Sequence, residues 1–252
     1  MFQFIHSSLT DVNVTFNAMR IDVNFDFRSD ANGEDPDTNS PLLKSYHQYL
    51  WSKKLPSGNL FLLKNGRASE YLVFENVSNR IVLSSDSIGN SYGSRKKPPP
   101  VLKLIQREKI ESFKQLISTI GGFILFPGKK IDGLLTINQE RGVNPLIADR
   151  FDLTLECIRL FYLSEESPLS KVLIRYWNFF QLFEDFKGYV DFFLLNDLVN
   201  SQYSKINYFN AFSEVFIKSP IPASVDEYLI YRENSMLFTQ KRNQRIIESI
   251  SS

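Results

Sequence analysis

The spacing of apolar residues changes near Pro145, and this change limits the possible folds more than any other feature of the chain. Before it, apolar residues come in short runs, many alternating with polar ones, and the runs are broken by Gly, Pro, Asn and Asp. After it, they recur every three or four residues over longer stretches. The first pattern suits strands, whose side chains alternate between two faces, and the second suits helices. The expected fold is therefore α+β, with an antiparallel or mixed sheet in residues 1–145 packed against a helical half at 146–252. No flexible linker separates the halves, so a single domain spanning 1–252 is expected.

In the first half, residues 10–16 and 20–27 alternate and are expected to be strands. A loop dense in acids and turn formers follows through Asp37. Ser40 and Pro41 then provide the preferred N-cap and first position of a helix reaching about Lys53. Short antiparallel strands are expected at 59–63, 70–75 and 80–84, and a helix at 102–118. A hairpin joining 119–126 to 131–137 would turn at Pro127 and Gly128. In the second half, helices are expected at 149–163, 168–183, 189–200 and 225–250. Ser224 and Glu227 fit a capping box for the last of these.

The chain has 22 Phe, 11 Tyr and 2 Trp, which argue for a well-filled core and against disorder. Cys157 is the only cysteine, which rules out an internal disulfide and a cysteine-rich zinc site and fits a reducing compartment. The first residues lack the basic start and apolar run of a signal peptide, and no apolar run approaches a membrane span. A cytoplasmic location without membrane association is the expectation. Net charge is +1, but residues 41–150 carry 17 basic and 8 acidic side chains. That segment could present an anion-binding face, or it could neutralise the acidic flanks within the fold.

Several stretches resemble an uncharacterised bacterial protein family, a domain of unknown function. They are residues 25–30 (FDFRSD) with Asp35, Pro36 and Asp37, then 50–53 (LWSK), 83–88 (LSSDSI), 120–124 (IGGFI) with 126–128 (FPG), 150–159 (RFDLTLECIR) and 188–195 (GYVDFFLL). Together they cover about residues 20–245. The resemblance implies a bacterial source and one full-length unit, and it carries no activity.

Chemistry must therefore be sought in the residues. The acidic loop, with Arg28, Ser29, Asp30, Asp35 and Asp37, could hold a hard cation such as Mg²⁺. It does not fit the EF-hand template, because aligning Gly33 with the required glycine puts Arg28 at the first ligand position and Asn39 at the last. The plainer account is a turn whose side chains cap its own backbone. On the helix expected at 149–163, Asp149, Asp152, Glu156 and Arg159 fall in one stripe about 80° wide on an otherwise apolar element. That stripe would face either a cleft or solvent. Ser85 and Asp86 form a third polar cluster at a strand end. Arg28, Ser85 and Glu140 also occur in the order used by ADP-ribosyltransferases of the Arg–Ser–Glu type, a pattern that three common residues also produce by chance. His47 could be a general base or a structural hydrogen-bonding group. No phosphate-binding loop and no GxGxxG fingerprint is present.

The expectation is an effector enzyme acting on a nucleotide or nucleic acid, of toxin or phage-defence type. Arg28, Asp30, Ser85, Asp86, Asp152 and Glu156 would be its contributors, with no cofactor or metal specified. The alternatives are a protein-interaction module, for which the aromatic content and missing motifs are natural, and an NAD-dependent ADP-ribosyltransferase-like enzyme.

Overall fold

The computed structural model describes residues 20–93, 97–212 and 214–251. The strand expected at 10–16, and His6, Arg95 and Lys96, lie outside the described residues.

Four strands form one antiparallel sheet in chain order: β1 (Leu63–Asn65), β2 (Leu72–Glu75), β3 (Arg80–Ser87) and β4 (Phe123–Pro127). β3 is the longest. Its apolar first half pairs with β2, placing Leu83 opposite Leu72, and its polar second half pairs with the wholly buried β4. In that second half Ser85 faces Leu125 and Asp86 faces Ile124. Polar side chains are thereby carried to the buried end of a central strand, where each needs a partner.

The expected α+β architecture is what the chain adopts, with a long C-terminal helix, α9 (Val225–Ser251). Its start carries half of the expected capping box: Ser224 Oγ accepts from Glu227 N at 3.2 Å, but the Glu227 carboxylate reaches past the Ser224 N–H to accept from Ala223 N at 2.7 Å. Two short sheet-side helices matter for the site. α1 (Pro36–Asn39) is capped by Asp35, and α2 (Pro41–Trp51) is capped by Ser40, whose Oγ accepts from Leu43 N at 3.0 Å. The expected α2 is thus present with its expected cap. α3 (Arg107–Ile117) follows a 3-10 turn at Pro100–Leu104, and together they occupy the region expected to be one helix at 102–118.

Two expected strands are absent. Residues 20–27 form a turn entering a 3-10 turn at Phe27–Asp30. Asp22 accepts from Asn24 N, and Asp26 accepts from Arg28 N, so aspartate side chains take up backbone donors that a ladder would need. The hairpin partner at 131–137 is also missing. Asp132 and Gly133 both adopt positive φ, and Thr136 forms a capping box with Gln139 that starts α4 (Ile137–Val143) instead. β4 finds its partner in β3, earlier in the chain.

The helical half contains α5 (Phe151–Tyr162), α6 (Ser170–Arg175), α7 (Trp177–Phe180) and α8 (Phe186–Phe192). Apart from the exposed Trp177, the aromatic run from Tyr176 to Phe193 is core, with Phe179, Phe180, Phe183, Tyr189 and Phe193 fully buried and meeting mostly edge to face or tilted. One buried cluster reaches from Val23 through the sheet to Ile246 on α9, joining both halves. Gly121 and Gly122 lie in a 3-10 turn just before β4, where α9 comes close. A Cβ on Gly121 would lie 2.6 Å from the Thr239 carbonyl, so this close approach of two backbones requires glycine. Cys157 is buried, and burial pushes its thiol up to about 12, as fits a small core residue.

Candidate functional site

The end of β3, α1, the segment after β3, α3 and the turn before α5 surround a cleft of about 580 Å³. Three aspartates from separate parts of the chain enter it. Asp37 comes from α1, Asp86 from β3, and Asp149 from the turn between α4 and α5. Ala148 and Asp149 both have positive φ (48° and 62°), a conformation costly for residues with a Cβ. It is held by the Asp149 N–H, which donates to the Arg141 carbonyl at 2.9 Å, and by the Asn90 amide on the Asp149 carboxylate at 2.7 Å.

Arg141, from α4, is fully buried beneath these acids. It pairs with Asp86, lies 3.7 Å from Asp149 Oδ1, and donates to Thr154 Oγ1 at 2.8 Å and the Ser87 carbonyl at 3.3 Å. Burial works against its charge, but Asp86 and Asp149 outweigh that cost and hold it protonated. The same crowding acts in the opposite sense on the carboxylates. Burial pushes Asp86 up to about 7, with Asp149 adding to the effect and Arg141 pulling against it. Burial, then the charges of Asp86, Asp35 and Asp149, push Asp37 well above the ordinary carboxylate value, while the Ser85 hydroxyl pulls it back.

Behind Asp37 runs a buried polar chain. Ser85 Oγ donates to Asp37 Oδ1 at 3.2 Å and lies 3.0 Å from His47 Nε2; His47 Nδ1 accepts from Trp51 Nε1 at 3.0 Å. Burial and the Arg242 charge push His47 down to about 3, so it is neutral. The Tyr71 hydroxyl is buried close by, beside Ser85, and burial and the Asp37 charge raise its pKa while Ser85 pulls it down.

Of the residues expected to contribute, Arg28 and Asp86 line the cleft and Ser85 lies directly behind it. Arg28 is already engaged: Asp26 takes two of its nitrogens and Glu111 a third at 2.6 Å. Asp30 does not reach the cleft, because it accepts from Ser40 Oγ at 2.7 Å and from Leu42 N at 2.8 Å at the start of α2. Asp152 is elsewhere, fully buried against Arg150, and it also accepts from Phe209 N at 2.8 Å. Glu156 pairs with Arg159 at 2.7 Å on α5. The expected polar stripe is thus divided, because α5 begins at Phe151 and leaves Asp149 in the preceding turn. Glu140, on α4, is not among the lining residues, so Arg28, Ser85 and Glu140 do not converge there. Arg141, Asn90, Lys114 and Tyr71 carried no signal in the sequence, since each gains its role from a distant segment.

The cleft is lined by five carboxylates (Glu34, Asp35, Asp37, Asp86, Asp149) against Arg28 and Lys114. The basic middle of the sequence therefore does not make this cleft basic. Among the described residues no group of three or more His, Cys, Asp or Glu is placed to hold a metal ion, and none of the helices is long and apolar enough to cross a membrane.

A family model described as a family of unknown function (DUF6994) matches residues 21–246. The chain belongs to this family. The match covers the sheet, the cleft and nearly all of α9, so every cleft residue lies inside the DUF6994 region. No curated protein and no solved structure matches the chain.

Proposed function

We propose that the cleft is the active site of an enzyme doing acid–base chemistry on a small polar substrate, with a nucleotide as the fitting class. The observation that carries this is the crowding of Asp37, Asp86 and Asp149 around one buried arginine. Acid–base catalysis needs two groups whose environments push their proton affinities apart, with one poised near neutrality. Asp86, paired with Arg141, is the group poised near neutrality and acts as the base. Asp37, which forms no ion pair among the described residues and is pushed up by burial and by its acidic neighbours, acts as the acid.

Charge and size narrow the substrate. A cleft of about 580 Å³ is within the range of small-molecule sites. Carboxylates accept hydrogen bonds from hydroxyls, as a ribose would offer, and Lys114 at the rim, with no ion-pair partner among the described residues, suits a single phosphate group. A polynucleotide would bring repeated phosphates to five carboxylates, which disfavours nucleic acid here. A toxin or phage-defence role would follow from the nucleotide consumed, and the same assay would read it.

The test is a thermal-shift and turnover screen of the purified protein against nucleotides, NAD, short RNA and DNA, and divalent metals, with product detection by mass spectrometry. A ligand at 100 times its Kd should add about 2.7 kcal/mol to stability. Binding and turnover that are lost in Asp86→Asn support the reading. Turnover unchanged in both Asp86→Asn and Asp37→Asn would sink it.

A protein-interaction role has its own supporting observation. Ile174 and Trp177 are 61% and 44% exposed and line an apolar groove with Phe161, Glu165, Glu166 and Lys171. Pull-down with a Trp177→Ala control would test that reading separately.

A further inference from the structure

The donors and acceptors behind the cleft run in one direction. An indole N–H can only donate, so the Trp51 bond requires a bare lone pair on His47 Nδ1. His47 is fully buried and neutral, so its one proton must be on Nε2. Nε2–H points at Ser85 Oγ, 3.0 Å away, and occupies that oxygen as an acceptor. The Ser85 proton is then free to be given to Asp37 Oδ1 at 3.2 Å. Every link follows from the one before it, starting from the indole.

The geometry points to Trp51, His47 and Ser85 as a positioning chain that fixes Asp37 Oδ1 as an acceptor and so places any Asp37 proton on Oδ2. This deepens the acid–base reading of the cleft and rests on it for its catalytic meaning. A proton on Oδ1 would point at Ser85, into the protein interior. Because Oδ1 is occupied, the proton is presented by Oδ2, which accepts no hydrogen bond from the described residues. Ser85 and His47 are positioning residues here, acting on substrate only through Asp37.

The charges around Asp37 come from every neighbouring element. They are Asp35 at the cap of α1, Asp86 on β3, Asp149 before α5 and Arg141 on α4, with the Tyr71 hydroxyl at the edge of β2. All three carboxylates raise the Asp37 proton affinity, and Ser85 is the one group in direct hydrogen-bond contact that lowers it. Losing the Ser85 donor should therefore raise the Asp37 midpoint, by about one pH unit for a hydrogen bond to a charged group.

The first measurement needs no substitution. Nitrogen-15 NMR of the imidazole in the intact protein at pH 7 distinguishes the two neutral tautomers and the cation. The expected result is a neutral ring protonated at Nε2. Protonation at Nδ1, or a charged ring at pH 7, would overturn the chain. The second measurement follows the Asp37 side-chain carboxyl by carbon-13 NMR titration in wild type and Ser85→Ala. A higher midpoint in Ser85→Ala is expected, and an unchanged or lower one overturns the proposal. Trp51→Phe should release the tautomer to a mixture, and retention of pure Nε2–H would show that the indole does not set it. None of these readings requires substrate. A correct tautomer in a protein that turns over no ligand would retire the enzyme reading and leave the chain standing.

Discussion

At the scale of single residues, the molecule buries arginines and pays for each with a specific set of acceptors. Arg141 is compensated by Asp86 and Asp149 at the cleft. Arg150 is compensated by Asp152 on two nitrogens, by Asn210 Oδ1 at 2.8 Å and the Pro220 carbonyl at 3.2 Å, and by the face of Tyr231 at 4.5 Å. Removing one member of a buried pair leaves an uncompensated charge, which costs about 3–5 kcal/mol. Asp152→Ala should therefore lower stability by about that much in urea unfolding, while leaving ligand binding at the cleft intact. A loss of binding with unchanged stability would return Asp152 to the site. Arg141→Met should destabilise to a similar extent, and more at pH 8 than at pH 5. Without the guanidinium, Asp86 and Asp149 repel one another when ionised, and protonation relieves them. Equal losses at the two pH values would show that Arg141 is only packing. The sequence could place Asp86 at a strand end, but it could not show that Arg141 lies beneath it, because the two are brought together only by α4 folding over the sheet.

At the scale of elements, local chemistry was readable wherever side chain and backbone interact within a few residues. Ser40-Pro41 and Ser224 with Glu227 specify helix starts without help from the rest of the chain. The strand at β3 was readable for a similar reason, since Ile81, Val82 and Leu83 make a short, partly β-branched apolar run ahead of polar residues. Reading failed where two local signals competed. Residues 20–27 alternate like a strand, yet Asp22 and Asp26 satisfy the local backbone first. Around the Ile120 turn, glycine is demanded by packing. A Cβ on Gly122 would lie 1.9 Å from the Ile117 carbonyl, which backbone cannot yield, whereas a Cβ on Gly142 in α4 meets nothing within 4 Å. Gly122→Ala should thus abolish cooperative folding or cost more than about 3 kcal/mol. Gly142→Ala should gain about 0.5–1 kcal/mol through helix propensity. Thermal melts of the two variants decide this, and similar melting temperatures would contradict both.

At the scale of the whole molecule, the sequence marks Asp37, Asp86 and Asp149 in three separate polar clusters, but their meeting in one cleft was hidden because they are separated by 49 and 63 positions. What the assembled cleft adds is a pH signature of stability. Asp86 has an ordinary value of 3.8 and is held up to about 7 in the fold, and Asp37 is raised as well. Between those values the folded protein keeps protons that the unfolded chain has released, so stability falls as pH rises through the window. His47 works in the opposite direction. Its ordinary value of 6.5 drops to about 3 on burial, so between these values the unfolded chain holds the extra proton and stability falls as pH drops. The two effects oppose one another below about pH 6.5, and above it the aspartates act alone. Wild type should therefore lose melting temperature as pH rises from about 6.5 through about 7. Asp37→Asn removes a carboxylate that burial and its acidic neighbours make costly to ionise, while keeping an amide oxygen to accept from Ser85. It should melt above wild type by a margin that grows as pH rises, with a flatter decline. Parallel curves for the two proteins would mean that Asp37 is ionised throughout and is not the proton holder of the cleft. A higher melting point at pH 8 together with lost turnover would mark Asp37 as a group kept at a cost to stability for the sake of its chemistry.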